Sequence, residues 1–348
     1  MKNRTLKKSI LVATTAFLAM QMACIPAEDS RTAEFRAGLV GESDIRMTLG
    51  AGASGQRGQA LNGEPALMAA ITADVVTGTN SFLLGHLTMM RFIVDLPPTV
   101  IEDDLHVWEG THQGTFMRVT VERSDALAGT KFDYRMEGRP ASASDDELLT
   151  YFDGEVVRVE TETGPTDNGW GLIRYYFDNL STIEEHKDVA GTGRITFRRA
   201  GNVHQIRVHL DEIKTPEDPN FPEAAIFDYT LLPDLAGGLR FFARADVKKD
   251  GSPLEDVAIF SAWRADLSGA AVGLVTGGSL DADYWHMVEC WDTMLHKNYW
   301  FLGTNLGQLE DGDRAGCQRD PDTMDVPEFD EESVSQDPVL PEAHADEA

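Results

Sequence analysis

The sequence is poor in positive charge for its length. Its 348 residues contain 30 Lys and Arg against 58 Asp and Glu, which gives a formal net charge of -28 at pH 7. Nucleic-acid phosphates bind surfaces that are rich in Lys and Arg, and an acidic surface repels them and also repels an anionic membrane face. The charge balance therefore excludes nucleic acid and leaves cations, basic partners or solubility as uses of the acidity.

Long apolar runs are lacking after the first 24 residues. A membrane-spanning helix needs about 18 or more predominantly apolar residues, so we expect no later segment to cross a bilayer. The hydrophobic fraction of 42% is nevertheless ordinary for a globular chain, and it can supply the core of one large domain.

Recognisable catalytic motifs are lacking too. The chain has no Walker sequence and no His-Glu-x-x-His. Gly50 to Gly55 match G-x-G-x-x-G, but Gly58 and Gly63 interrupt the helix that should follow, so we interpret the segment as a loop. Asp246 to Asp256 resemble a calcium loop, but Lys248 occupies a ligand position, which favours a hairpin turn. We expect no catalytic residue, cofactor or metal site.

The N-terminus has the pattern of an export signal. Four basic residues precede the apolar run Ile10 to Met22: Lys2, Arg4, Lys7 and Lys8. A run of this length is too short to span a membrane stably and is typical of a cleaved signal peptide.

Cys24 follows the apolar run directly, after Gln21, Met22 and Ala23. The segment resembles the signal of bacterial lipoproteins, in which a small residue precedes a cysteine that is lipidated and becomes the first mature residue. The resemblance implies a membrane anchor at Cys24, and Ile25 in place of Asp implies export to the outer membrane, facing the periplasm or the cell surface. Ordinary secretion with cleavage at a small-x-small site is the alternative.

Cysteine is scarce, and the remaining two residues of this type are Cys290 and Cys317. If Cys24 is lipidated, they form an even pair, and an oxidising compartment favours a disulfide between them. Free thiols are one alternative. A metal site is another, because His286 and Cys290 are four residues apart with His296 nearby, but a four-ligand pattern is missing.

The body of the chain begins with helical spacing. Apolar residues recur at this spacing after Glu64-Pro65. Gly78 and Asn80-Ser81 then interrupt the pattern, and a second apolar helix follows and ends at Pro97-Pro98. We therefore predict a pair of hydrophobic helices over about residues 64–95.

A long series of alternating segments follows, from Leu105 to Thr276, with hairpin sequences at Ala200-Gly201-Asn202 and Asp250-Gly251. Consecutive short strands without intervening helices predict an antiparallel meander. We predict an α+β, mostly β fold: one large antiparallel, curved, half-barrel-like sheet with the helix pair packed against it. This architecture resembles the open β half-barrels with internal helices of bacterial lipoprotein carriers.

The predicted organisation is a signal peptide over residues 1–23, a lipid anchor and tether over 24–34, and a single domain over 35–303. The domain ends in a helix or strand over about 284–301. Residues 304–348 are rich in Asp, Glu and Pro and poor in large apolar residues, so we expect an acidic disordered tail.

The segment Glu289-Cys290-Trp291-Asp292 is similar to one found in uncharacterised bacterial envelope lipoproteins. Two functions stay open at this point. The first is a non-enzymatic envelope lipoprotein that is held to the membrane through Cys24 and binds an apolar ligand or a protein partner. The second is an exported hydrolase whose site has no recognisable motif.

Overall fold

The computed structural model describes residues 30–49, 64–112, 114–161, 164–183, 189–214, 224–247 and 253–324. Its α-helices are Ser30–Gly38 (α1), Glu42–Ile45 (α2), Leu67–Val94 (α3) and Phe177–Ile183 (α4). Single turns of 3-10 helix lie at Asp145–Glu147, Arg314–Gly316 and Pro321–Thr323. The motif Gly50 to Gly55 lies outside the described residues, as do Cys24 and the turn Asp250-Gly251.

The described strands form one antiparallel sheet of 15 strands in which every strand pairs with its neighbours in the chain. The first eight strands, β1 to β8, are Val100–Ile101, Leu105–His112, Thr115–Ala126, Gly129–Pro140, Leu149–Thr161, Gly164–Tyr176, Ala190–Ala200 and Val203–Lys214. The others, β9 to β15, are Ala224–Leu231, Gly237–Ala245, Glu255–Trp263, Gly269–Gly277, Tyr284–Trp291, Lys297–Thr304 and Gly307–Gly312. The edge strands β1 and β15 do not pair with each other, so the sheet is open. The predicted fold class is confirmed.

The predicted hairpin at Ala200-Gly201-Asn202 is also confirmed. Ala200 pairs with Val203, and Gly201 has a φ of 57°, a backbone conformation that residues other than glycine rarely adopt. Along β7 the buried Ile195 and Phe197 alternate with half-buried polar residues, as a sheet with one buried face requires.

Helix α3 shows that the sheet is curved. Its N-terminal part contacts β11 to β13, and its C-terminal part contacts β2 and β3. A helix of 28 residues is about 42 Å long, whereas eleven strand spacings would cover about 53 Å on a flat sheet. The sheet therefore bends around α3, and Leu83, Met90 and Ile93 are fully buried between helix and sheet.

The predicted pair of helices is wrong in one respect, because α3 is a single continuous helix through Gly78 and Asn80. The Asn80 side chain accepts a hydrogen bond from Met47 N at 2.9 Å and donates one to Met47 O at 2.8 Å. These two bonds, and the packing of the buried face, outweigh the roughly 1 kcal/mol that a glycine costs inside a helix.

Residues 30–49 form an N-terminal plug over one end of the concave face. Phe35, Leu39, Ile45 and Met47 are at most 1% exposed in it. The prediction of a tether over residues 24–34 was wrong for residues 30–34, because they belong to α1 and Thr32 is buried. A segment this short escaped prediction because its apolar residues have no regular spacing.

The sheet continues beyond Thr276, where the sequence left helix and strand open. Strands β13 and β14 occupy the region, and β15 follows them. The predicted tail therefore began too early: residues 307–312 are a strand, and Met324 is 5% exposed against β12 and its neighbours. Backbone pairing and a disulfide hold this polar segment without a large apolar core. Residues 325–348 lie outside the described residues.

Three hairpins at one end of the sheet, β9–β10, β11–β12 and β13–β14, share one turn geometry. In each, a three-residue loop ends in a leucine of positive φ: Leu235 (66°), Leu267 (73°) and Leu295 (60°). This position usually holds glycine, since the left-handed conformation is strained for other residues. The three turns lie at the same end of the sheet as the N-terminal plug, which we call the plug end; the opposite end is the far end.

Candidate functional site

A pocket of about 650 Å³ lies at the plug end, between α1, α2 and the ends of β4 and β5. Its apolar lining includes Ala33 of α1, Leu39 directly after α1 and Phe132 of β4. Its charged lining is Glu34, Asp44, Arg91, Arg158 and Glu160. The pocket therefore offers both signs of charge beside an apolar surface, which is the composition of a site for a small polar ligand.

A buried ion pair joins the wall of the pocket to the sheet. Arg158 of β5 donates two hydrogen bonds of 2.8 Å to the Asp44 carboxylate and one of 2.7 Å to Leu39 O. Asp44 is 3% exposed and also accepts a bond from Gly41 N. The pair fixes the N-terminal plug on the sheet, since a bidentate geometry restrains both side chains.

His204 of β8 extends the same network. Its Nε2 atom lies 2.6 Å from Asp44 O, and burial lowers the pKa of its ring below the ordinary 6.5. The neutral ring then donates to the carbonyl without adding a second positive charge beside Arg158. His209 lies on the opposite face of β8, as the odd spacing predicts.

Two charged groups of the pocket have no ion-pair partner among the described residues. Arg91 extends from the exposed side of α3, and Glu160 accepts a hydrogen bond from Thr130 Oγ1. The other charges are engaged: Asp44 binds Arg158, and Glu34 pairs with Arg123 at 2.8 Å. Arg91 and Glu160 are therefore the groups that can bind a ligand of opposite charges.

The Glu289-Cys290-Trp291-Asp292 segment has a structural role. Glu289, 5% exposed, accepts hydrogen bonds from Leu67 N and Met68 N at the start of α3. Trp291 Nε1 donates to Leu267 O at 2.8 Å, and Asp292 accepts from His296 N at 2.9 Å. The segment thus joins the start of α3 to the turns at the plug end.

We expect the Glu289 cap to make stability depend on pH. Burial raises the pKa of Glu289 above its ordinary 4.5, although the bonds from Met68 and Leu67 oppose this shift. The folded state therefore holds the proton more tightly than the unfolded state, and this contribution is lost as the pH rises from about 4.5 through the raised pKa. Urea unfolding at a series of pH values should show wild type losing stability relative to Glu289→Gln over this range.

Glu122→Gln is the matched control, because Glu122 is exposed on β3. Its difference from wild type should not change with pH by a comparable amount. Wild type that gains stability relative to Glu289→Gln as the pH rises would contradict the assignment.

The predicted pairing of Cys290 with Cys317 is confirmed. The two sulfur atoms form a disulfide with an S–S distance of 2.09 Å. The alternative metal ligands are not assembled: Cys290 is consumed by the disulfide, and the described residues contain no group of three His, Cys, Asp or Glu placed to hold a metal ion.

A hydrolase would need a nucleophile next to a general base, and Thr32 and His106 are a candidate for this arrangement. Thr32 Oγ1 lies 3.3 Å from His106 Nε2, and the two residues are 4% and 0% exposed. The His106 ring stacks on Phe35 with 4.0 Å between centroids. Because α1 covers both groups, a substrate carbonyl has no access to this pair, and we interpret it as part of the core.

Comparisons with protein-family models, with curated protein sequences and with solved structures find no match to this chain. By length and composition, α3 is one helix in the described part of the chain that could span a membrane. The core helix of a soluble protein passes the same test, and α3 packs along the concave face of the sheet.

Proposed function

We propose that this chain is an exported, lipid-anchored, non-enzymatic binding protein of the cell envelope, and that the pocket at the plug end is its ligand site. The observation that carries the proposal is the presence in the pocket of two opposite charges, Arg91 and Glu160, that have no ion-pair partner among the described residues, whereas the other charges of the pocket are paired. A ligand with an anionic and a cationic group satisfies both without leaving a charge unpaired.

The export and anchoring part of the proposal rests on the sequence. The basic start, the apolar run and Cys24 support a lipoprotein signal. The Cys290 and Cys317 disulfide supports it independently, because disulfides persist in oxidising compartments such as the envelope. We place the protein at the outer membrane, facing the periplasm or the cell surface.

The charged lining of the pocket favours a polar ligand over the apolar ligand that the sequence suggested. In the carriers that this architecture resembles, an apolar ligand would occupy the concave face. Here α3 occupies that face, and its buried side chains belong to one continuous core with those of β2 to β11, including Leu83, Trp108 and Phe152. The pocket at the plug end is a concavity with a charged lining, which suits a polar ligand.

Three small probes test the pocket. Glycerophosphoethanolamine carries a negative and a positive group, inorganic phosphate carries negative charge alone, and spermidine carries positive charge alone. We expect titration calorimetry to show binding of glycerophosphoethanolamine, and Arg91→Gln to weaken it about tenfold, the equivalent of one charge-assisted hydrogen bond. Glu160→Gln should weaken it by a similar factor.

Arg46→Gln is the control, because Arg46 is an exposed arginine of the N-terminal plug that does not line the pocket. Its affinity should equal that of wild type. Binding of phosphate alone, equal binding by Arg91→Gln, or binding of none of the three probes would contradict the proposed site.

A further inference from the structure

Large apolar side chains are exposed at both ends of the sheet, but the two most exposed at the far end, Leu306 (73%) and Leu309 (62%), belong to one hairpin, whereas those at the plug end come from several elements across the sheet. Most of them lie on turns between strands, where polar residues are usual. They are Leu127 (102% exposed), Leu67 (63%), Met294 (58%), Ile101 (55%), Leu232 (43%) and Leu235 (39%). We call these six residues the apolar rim. Leu235 has the positive φ that glycine adopts more easily, so the backbone conformation does not account for a leucine there.

The apolar rim spans the sheet from one side to the other. Ile101 precedes the turn between β1 and β2, and Leu127 is at the tip between β3 and β4. The turn between β9 and β10 carries Leu232 and Leu235, and the turn between β13 and β14 carries Met294. Leu67 begins α3 beside this last turn, since Ala66 N donates to Leu295 O. A surface that follows so many turns matches an extended partner better than a small ligand.

The described chain also begins at the plug end. Arg31 of α1 pairs with Asp103 in the turn between β1 and β2, and Arg123 near the end of β3 pairs with Glu34. Five residues lie between Cys24 and Ser30, so the Cα atoms of these two residues are at most about 20 Å apart in a fully extended chain. A lipid on Cys24 therefore holds this end of the sheet close to the bilayer.

From the position of the rim and of Ser30 we infer that the plug end lies on the membrane, with the apolar rim in the headgroup region of a zwitterionic bilayer. This inference rests on the lipid anchor in the proposed function. Burial of apolar side chains at the interface adds to the anchor, because a single acyl chain alone binds weakly. The net charge of -28 makes a zwitterionic surface the better partner than an anionic one.

Fluorophore labelling of the full lipidated protein in phosphatidylcholine vesicles tests the inference. A single cysteine is introduced by Leu127→Cys at the plug end or by Leu306→Cys, which is 73% exposed in the turn between β14 and β15 at the far end. The native cysteines do not compete for the label when Cys24 is lipidated and Cys290 and Cys317 are bonded. Lipids with a quencher near the headgroup then report depth.

We expect quenching and a blue shift of the label at residue 127 and neither at residue 306. Vesicles containing phosphatidylglycerol should quench the label at residue 127 less. Equal quenching at the two positions, or none at residue 127 in protein that floats with the vesicles, would overturn the inference. Protein that does not float with vesicles would instead contradict the lipid anchor, so the two failures are distinguishable.

Discussion

Replacement of Arg158 by methionine should cost about 3–5 kcal/mol of unfolding free energy, which is typical for removal of one partner of a buried ion pair. Asp44 is 3% exposed, and Arg158 supplies the two hydrogen bonds that compensate the burial of its charge. Without Arg158 the carboxylate stays buried with one backbone bond from Gly41. Equilibrium urea unfolding of wild type and Arg158→Met measures the loss.

Arg174→Met is the control for this prediction. Arg174 also binds an aspartate, Asp153, on the neighbouring strand, but its side chain is 44% exposed. Exposed pairs contribute little because water solvates the separated charges and the attraction is screened, so this variant should lose less than about 1 kcal/mol. Equal losses for Arg158→Met and Arg174→Met would refute the role of the buried pair in holding the plug.

Loss of the disulfide should have the second-largest effect. Cys290 and Cys317 are 27 positions apart, and a cross-link over a loop of this length stabilises a protein by about 3–4 kcal/mol in the chain-entropy account. The loss should be concentrated in the segment that the bond holds. Strand β15 is an exposed edge with one neighbour, and all six of its residues are exposed to solvent.

Hydrogen exchange of a variant with Cys290→Ser and Cys317→Ser together should therefore show lost protection in β15 and in residues 313–324. Protection in β3 to β8 should be retained, since these strands lie far from the bond in the order of the sheet. Addition of a reductant should destabilise wild type and leave the double variant unchanged. Unchanged protection of β15 in the double variant would show that strand pairing alone holds this segment.

The strands between Leu105 and Thr276 were predictable because each buries one face, and period-two alternation is then written directly in the sequence. The continuity of α3 was not. Gly78 and Asn80 lower helix propensity locally, and the two bonds from Asn80 to Met47 depend on a residue 33 positions away. A local pattern holds no information about such a partner.

The candidate site was beyond prediction for the same reason. Asp44 and Arg158 are 114 positions apart, and Arg91 comes from a third element of the chain. No spacing rule connects these residues, so only the folded sheet brings them together. The signal in the sequence was a charged residue at a position where strand alternation places the core, as for Arg158, two positions after the buried Val156.

The role of the Glu289-Cys290-Trp291-Asp292 segment could be predicted only in part. The pairing of Cys290 could be predicted because only two cysteines remain if Cys24 is lipidated, and the disulfide is formed. The role of Glu289 could not, because its partners Leu67 and Met68 begin a helix about 220 residues earlier in the chain. The segment stabilises the start of α3, and this role needs no catalytic explanation.

Mass spectrometry of the N-terminal peptide of the mature protein tests the central claim most directly. We expect a peptide that begins at Cys24 and carries the mass of a diacylglycerol thioether, because the proposed signal peptide ends at Ala23 and the proposed lipid anchor is on Cys24. An unmodified Cys24, or a mature chain that begins at another residue, would contradict the lipid anchor and with it the orientation of the sheet on the membrane.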